Sequence, residues 1–160
     1  MDKEASLDLV TYCGLYCGLC AQRGRIPKQA SQLQQSLHSE GFDDFYQYVP
    51  EMKDEFPVFW RFLGNLSTFD CRCRNGSGGP PDCKIRECAR RKGTAVCPEC
   101  DEYPCEHIES LAEHYPTLIQ DGKRLQKVGL KKWVAEQERR VKRGFVYADV
   151  RYATSGSGSG

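Results

Sequence analysis

Long hydrophobic runs are missing from this sequence. No stretch approaches the roughly 18 to 20 apolar residues that a membrane span needs. Mean hydropathy is −0.62 and 39% of residues are hydrophobic, so a soluble globular chain without a membrane partner is expected. The opening "MDKEASLDLV" has neither a basic start nor an apolar core. No secretory signal is read there, and a cytoplasmic setting is expected. Signatures of common catalytic sites are absent too. H-E-x-x-H, G-x-S-x-G and a Cys/His/Asn triad pattern do not occur, so no catalytic residue is assigned and enzyme activity stays open. There is no G-x-x-x-x-G-K-[ST] phosphate loop and no internal repeat. An excess of one charge is also lacking, since the net charge is +1. The balance is uneven along the chain, however. Residues 1–122 carry 13 Lys/Arg against 19 Asp/Glu, whereas 123–143 carry nine basic residues against Glu136 and Glu138. That basic segment can touch phosphates of a nucleic acid or form an ordinary solvated helix face.

Cysteine is plentiful: ten in 160 residues. A reducing compartment keeps thiols free, and clustered cysteines then read as metal ligands, with a disulfide framework or redox-active thiols as the alternatives. Three lie in "TYCGLYCGLC", as Cys13, Cys17 and Cys20, and seven more follow as Cys71, Cys73, Cys83, Cys88, Cys97, Cys100 and Cys105. The C-x3-C-x2-C spacing also occurs in enzymes that cleave S-adenosylmethionine. Those need a partial barrel of alternating strands and helices, which a chain of this length and pattern does not supply. Two cysteines separated by two residues can aim both sulfurs at one ion from a tight turn, and Cys17/Cys20 and Cys97/Cys100 have that spacing. Ten thiols fill two four-coordinate zinc sites with two left over. An iron–sulfur cluster is the alternative cofactor, because four thiolates suit either. His107, two residues after Cys105, is a candidate extra ligand or a surface histidine, while His38 and His114 read as structural. Arg72, Arg74, Lys84, Arg86, Arg90, Arg91 and Lys92 fall among these cysteines. They can compensate thiolate charge or grip nucleic acid.

Between the cysteine groups the sequence predicts helices. "IPKQASQLQQSLHSEG" has Pro27 near its start, an Ala30, Leu33, Leu37 stripe and Gly41 at its end. "FDDFYQYVP" predicts a short helix ended by Pro50. "FPVFWRFLGNLSTF" predicts a third, with Phe59, Phe62, Leu63 and Leu66 on one face. The aromatic density here is read as core packing. "CRCRNGSGGPPDC" is a loop, since its glycines and prolines exclude regular structure. Further helices are predicted for Lys84 to Lys92 with Gly93 as C-cap, for "CEHIESLAEHYP", and for two pieces broken at Gly129. Leu118, Ile119, Leu125 and Val128 serve the first piece, and Leu130, Trp133, Val134 and Val141 the second. "GFVYADVRY" alternates weakly and predicts one short strand. The expected fold is a mainly α, small irregular domain with cysteine-rich metal-binding loops and few or no strands. Residues 1–154 are read as one metal-stabilised domain. Its cysteine-rich parts are 12–26 and 71–105, its helical insert is 27–70, and its C-terminal helices span 106–143. "SGSGSG" at 155–160 reads as an engineered tail.

The strings "CGLYCGLC", "CRCR", "PDCKIRECARRKG" and "CPECDEYPCEHI" resemble the DUF3795 family of small cysteine-rich prokaryotic proteins, from about Tyr12 to Trp133. The resemblance implies zinc binding through Cys13, Cys17, Cys20, Cys83, Cys88, Cys97, Cys100 and Cys105, and implies no activity. The family pattern often has C-x-G-C at the middle pair, where this chain has Cys71 and Cys73 as C-x-C. The expected function is a structural zinc site supporting a binding or adaptor role towards protein or nucleic acid. A thiol-based enzyme or metal-transfer protein using Cys71, Cys73 or Cys105, and an iron–sulfur redox protein, are the alternatives.

Overall fold

A computed structural model describes residues 7–151, so the 155–160 tail lies outside the described residues. The protein is mainly α-helical. Among the described residues there are eight α-helices, three short 3₁₀ turns and no strand. The chain divides into two compact units, residues 22–70 and residues 1–21 together with 71–160.

The unit of residues 22–70 holds α1 (Arg25–Ser39), α2 (Phe42–Phe45) and α3 (Phe56–Ser67). Pro27 and Pro57 sit in the first turns of α1 and α3, where a missing N–H costs nothing because those donors have no intrahelical acceptor. Tyr46–Tyr48 continues α2 as a 3₁₀ turn before Pro50. Phe56 and Leu63 are the buried residues of α3, and Phe56 stacks between Tyr46 and Trp60 at centroid distances of 4.9 and 5.6 Å. The face expected from the sequence is therefore rotated. Phe59 and Phe62 point outward, at 42% and 59% exposure, because the inner stripe runs through Phe56 and Leu63, seven residues apart. Arg23 and Asp70, at the two ends of this unit, form an ion pair at 2.9 Å.

The other unit contains α4 (Lys84–Lys92), α5 (Glu106–Ala112), α6 (Leu118–Val128), α7 (Leu130–Lys142) and α8 (Ala148–Arg151). Helix α4 stops where the sequence predicts. Gly93 takes φ +66°, a backbone setting that disfavours a Cβ, and the next residue, Thr94, donates to the Ala89 carbonyl at 2.9 Å. Arg90, Arg91 and Lys92 in its last turn complement the negative end of the helix. Helices α6 and α7 meet at Gly129 and pack together. The core joins Val10, Tyr16, Leu19, Val96, Leu125, Trp133, Val134 and Tyr147. Burying each such side chain contributes about 1.5–3 kcal/mol. The Trp133 ring is fully buried, and its Nε1 has no hydrogen-bond partner among the described residues. Val141 lies at the edge of α7 and is exposed.

The predicted strand over "GFVYADVRY" does not form within the described residues. Tyr147 donates its N–H to Leu19 at 2.9 Å and its hydroxyl receives the Tyr16 N–H at 2.9 Å, after which the chain turns into α8. A backbone bond and a side-chain bond fasten this stretch to the N-terminal loop, and no partner strand among the described residues extends a ladder. The β pairing seen among the described residues is an isolated antiparallel bridge, Val10 to Tyr16.

Candidate metal centre

The bridge between Val10 and Tyr16 closes a tight loop with Cys13 at its tip. Thr11 and Leu15 pin the loop. The Thr11 N–H donates to the Leu15 carbonyl, and the Leu15 N–H donates to Thr11 Oγ1, each at 2.9 Å. Thr11 Oγ1 also lies 3.0 Å from Cys13 Sγ, a contact that sequence reasoning missed because a threonine two residues before a cysteine carries no pattern of its own. The next residues wind into the 3₁₀ turn Cys17–Leu19, where the Cys20 N–H donates to the Cys17 carbonyl at 3.1 Å. The second C-x-x-C repeats this geometry. Cys97–Glu99 is a 3₁₀ turn opened by Pro98, and the Cys100 N–H donates to the Cys97 carbonyl at 2.9 Å. One bond ties this second turn to the loop that carries Cys13, from the Cys97 N–H to the Tyr12 carbonyl at 2.6 Å.

Helix starts carry two further cysteines. Cys83 is the N-cap of α4 and Cys105 the N-cap of α5. Their backbones are extended, and the carbonyl of each accepts from the first turn, Glu87 N–H at 3.0 Å and Ile108 N–H at 2.9 Å. Cys88 lies on α4 itself. Cys71 and Cys73 lie in the loop that precedes Cys83. At Gly78 a Cβ would strike Cys71 Sγ, so only glycine lets this backbone come so close to the sulfur.

Arg86 shapes that loop. It is only 6% exposed, and its guanidinium donates to the carbonyls of Cys73 at 3.2 Å, Gly78 at 3.3 Å, Pro80 at 2.6 Å and Pro81 at 3.0 Å. Its Nη1 is also 4.0 Å from Cys73 Sγ. The remaining cations of this stretch divide by role. Arg74 donates to the Val10 and Ala95 carbonyls and lies 4.2 Å over the Tyr12 ring. Arg72 pairs with Asp8 at 2.8 Å. Lys84 pairs with Glu87 at 3.3 Å, and Arg90 donates to the Arg74 carbonyl at 3.2 Å. Lys92 pairs with Glu102 at 2.6 Å and reaches Cys100 Sγ at 3.9 Å. Arg86 and Lys92 thus reach sulfur, while most of the others hold backbone or carboxylates.

All ten cysteines are free thiols. Their mutual influence sorts them into two adjoining groups. Burial pushes Cys17 up to about 11, and Cys73, Cys71 and Cys20 lie close enough to push it the same way. Burial also raises Cys73, against the pull of Arg86, and Cys83 and Cys71 add to the rise. Burial pushes Cys97 up to about 12, with Cys13, Cys105, Cys100 and Cys88 adding to it. Cys13 faces both groups. Desolvation pushes it up to about 11, Thr11 opposes, and Cys73 and Cys83 reinforce.

Four of the second group, Cys88, Cys97, Cys100 and Cys105, line a cavity of about 490 Å³ together with Lys92, Tyr103 and His107. Tyr103 is fixed beside it by α6. Its hydroxyl donates to the Leu118 carbonyl at 3.3 Å and lies where a Cβ on Gly122 would be. His107 is exposed at the rim, and His38 is paired with Asp43 at 2.6 Å. Among the described residues, no three His, Cys, Asp or Glu side chains converge tightly enough, as they stand, to hold one ion. The basic segment 123–143 is spread over a solvated face. Arg124 pairs with Glu136 at 2.5 Å and Arg140 with Asp121 at 2.9 Å, while Lys123, Lys127, Lys131 and Lys132 are exposed. No helix among the described residues is long and apolar enough to cross a membrane.

A family model described as "Protein of unknown function (DUF3795)" matches residues 9–110. Comparisons with curated proteins and with solved structures found no match.

Proposed function

Because this chain belongs to the DUF3795 family, with every cysteine inside the matched span of residues 9–110, we propose that it is a thiolate metal-binding module with two structural zinc centres. The observation that carries this reading is the gathering of ten free thiols, from sequence positions as distant as Cys13 and Cys105, into one compact unit, with Cys88, Cys97, Cys100 and Cys105 around a single cavity. The first centre draws on Cys17, Cys20, Cys71 and Cys73, with Cys83 beside them. The second draws on Cys88, Cys97, Cys100 and Cys105, and Cys13 stands between. An all-sulfur donor set suits zinc, and a site closed by four protein ligands leaves no position for substrate. The two C-x-x-C turns, each tied by the same backbone bond, support paired presentation of thiols. The metal's role is then to hold the N-terminal loop to the later cysteines, and the molecule acts through the surfaces it presents, as a binding or adaptor protein in the cytoplasm.

One observation favours a second cofactor. The cavity bordered by four cysteines has a volume of about 490 Å³, room for an iron–sulfur cluster as well as for one ion. Elemental analysis of protein purified without oxygen decides between them. The zinc reading expects a colourless protein with about two zinc ions per chain. A brown protein containing iron and acid-labile sulfide replaces zinc with a cluster. A colourless protein without metal, whose ten thiols all alkylate at the rate of free cysteine, overturns both.

A further inference from the structure

The unit of residues 22–70 leaves an unusual amount of apolar surface uncovered. Leu33, Phe45, Val58, Phe59 and Phe62 are exposed large hydrophobic residues, with Leu33 at 47% and Phe59 at 42%. Singly exposed apolar residues need no explanation, but two of these lie together. Leu33 and Phe59 line a groove of about 310 Å³ with Leu37, Phe42, Met52 and Phe56. Its floor is firm, because Phe56 is buried and stacked between Tyr46 and Trp60. The groove walls come from α1, from α3 and from the segment that leads into α3.

The border of this groove is acidic. Glu51 and Glu55 line it directly, and both are exposed without an ion-pair partner among the described residues. Over residues 40–55 the chain carries six Asp/Glu against Lys53 alone. Asp43 and Asp44 are occupied by His38 and Gln47, so the two groove glutamates are the carboxylates still available at the border itself. An apolar trough bordered by free carboxylates is complementary to one kind of surface: large apolar side chains flanked by cations.

We propose that this groove docks a basic amphipathic helix of a partner protein, seating Leu or Phe side chains between α1 and α3 while Lys or Arg residues meet Glu51 and Glu55. Helix-in-groove recognition places anchors at i, i+3, i+4 and i+7, and the positive flank sets orientation and the rate of encounter. Two other occupants fit the charge poorly. A second copy docked face to face would bring the same glutamates against each other, since a two-fold interface is self-matching. A membrane surface rich in anionic lipid would be repelled by them.

The test uses the full chain as purified, with whatever metal it carries. The probe is a fluorescein-labelled synthetic peptide with Leu and Phe at i, i+3, i+4 and i+7 and Lys on the flanks, and binding is read by anisotropy. A control peptide keeps the apolar residues and replaces each Lys with Glu. Expected are binding of the basic peptide, none of the acidic one, and weakening as salt rises. Glu51→Gln with Glu55→Gln should weaken binding about tenfold, and Leu33→Gln should weaken it by a similar factor. All three substitutions fall at exposed positions, and circular dichroism of the variants confirms that their helices are intact. Equal binding of both peptides, or binding indifferent to these substitutions, overturns the proposal. So does concentration-dependent self-association that Leu33→Gln abolishes, or binding to phosphatidylserine vesicles in place of the peptide.

Discussion

A guanidinium removed from water must find acceptors for its protons, and Arg86 finds them in the backbone oxygens of one loop. Its fork bonds Cys73, Gly78, Pro80 and Pro81, which fixes a stretch whose glycines and prolines supply no structure of their own. Replacing Arg86 with Ala leaves those buried carbonyls without a donor and should destabilise the protein by about 3 kcal/mol. Arg86→Lys should recover only part of this, because a single ammonium cannot reproduce a planar fork. Urea denaturation of the three proteins checks the order. This residue also marks how far the site could be read from sequence. The ten cysteines and their C-x-x-C turns were legible, because those thiols stand at short fixed spacings. The cations between them were legible as a group, yet their division was not. Arg86 and Lys92 reach sulfur, whereas Arg74 and Arg90 hold carbonyls beside Tyr12. That division depends on where a folded loop places its oxygens. Thr11 beside Cys13 was equally hidden, since nothing local marks it.

At the scale of elements, α6 and α7 are linked by a two-pronged ion pair. Arg124 donates to Glu136 through Nε at 2.9 Å and through Nη2 at 2.5 Å. The hydrogen bonds from Arg124 hold the Glu136 carboxyl below its ordinary value of 4.5. A carboxylate depressed by folding adds stability above its unfolded pKa and loses it as pH falls through the folded one. The pair's contribution should thus be complete at neutral pH and should fade in acid, as pH falls below the ordinary carboxylate value and through the lowered one. Glu136→Gln should lower the urea midpoint slightly at pH 7, with the gap to the parent protein closing in acid. A gap that stays constant with pH would assign the effect to packing. The helices themselves were legible, because proline starts, the Gly93 end and spaced apolar residues are local signals. The rotation of α3 was not. Phe56, Phe59, Phe62, Leu63 and Leu66 offer more than one apolar stripe, and contact with Tyr46 selects the one through Phe56. The lost strand near Tyr147 has a similar cause, because weak alternation cannot supply a neighbour to pair with.

For the whole molecule, the two tryptophans fall one to each compact unit, Trp60 in residues 22–70 and Trp133 in the other. Trp133 is fully buried in the core that the N-terminal loop shares with α6 and α7. In a Trp60→Phe protein, Trp133 alone reports that core. If metal binds the N-terminal loop to the later cysteines, a strong chelator should shift Trp133 emission to the red, and zinc should restore it. Unchanged emission after the metal has gone would show that apolar packing alone is enough to hold this unit. The unit of residues 22–70 stands in a different relation to the sulfur chemistry, for it contains no cysteine at all. Its first and last turns of chain are clasped by Arg23 and Asp70 at 2.9 Å. A segment whose two ends meet in an ion pair is built as a cassette. If the groove on this segment takes a partner, exchanging residues 24–69 should change that binding and leave the thiol reactivity of the other unit unaltered.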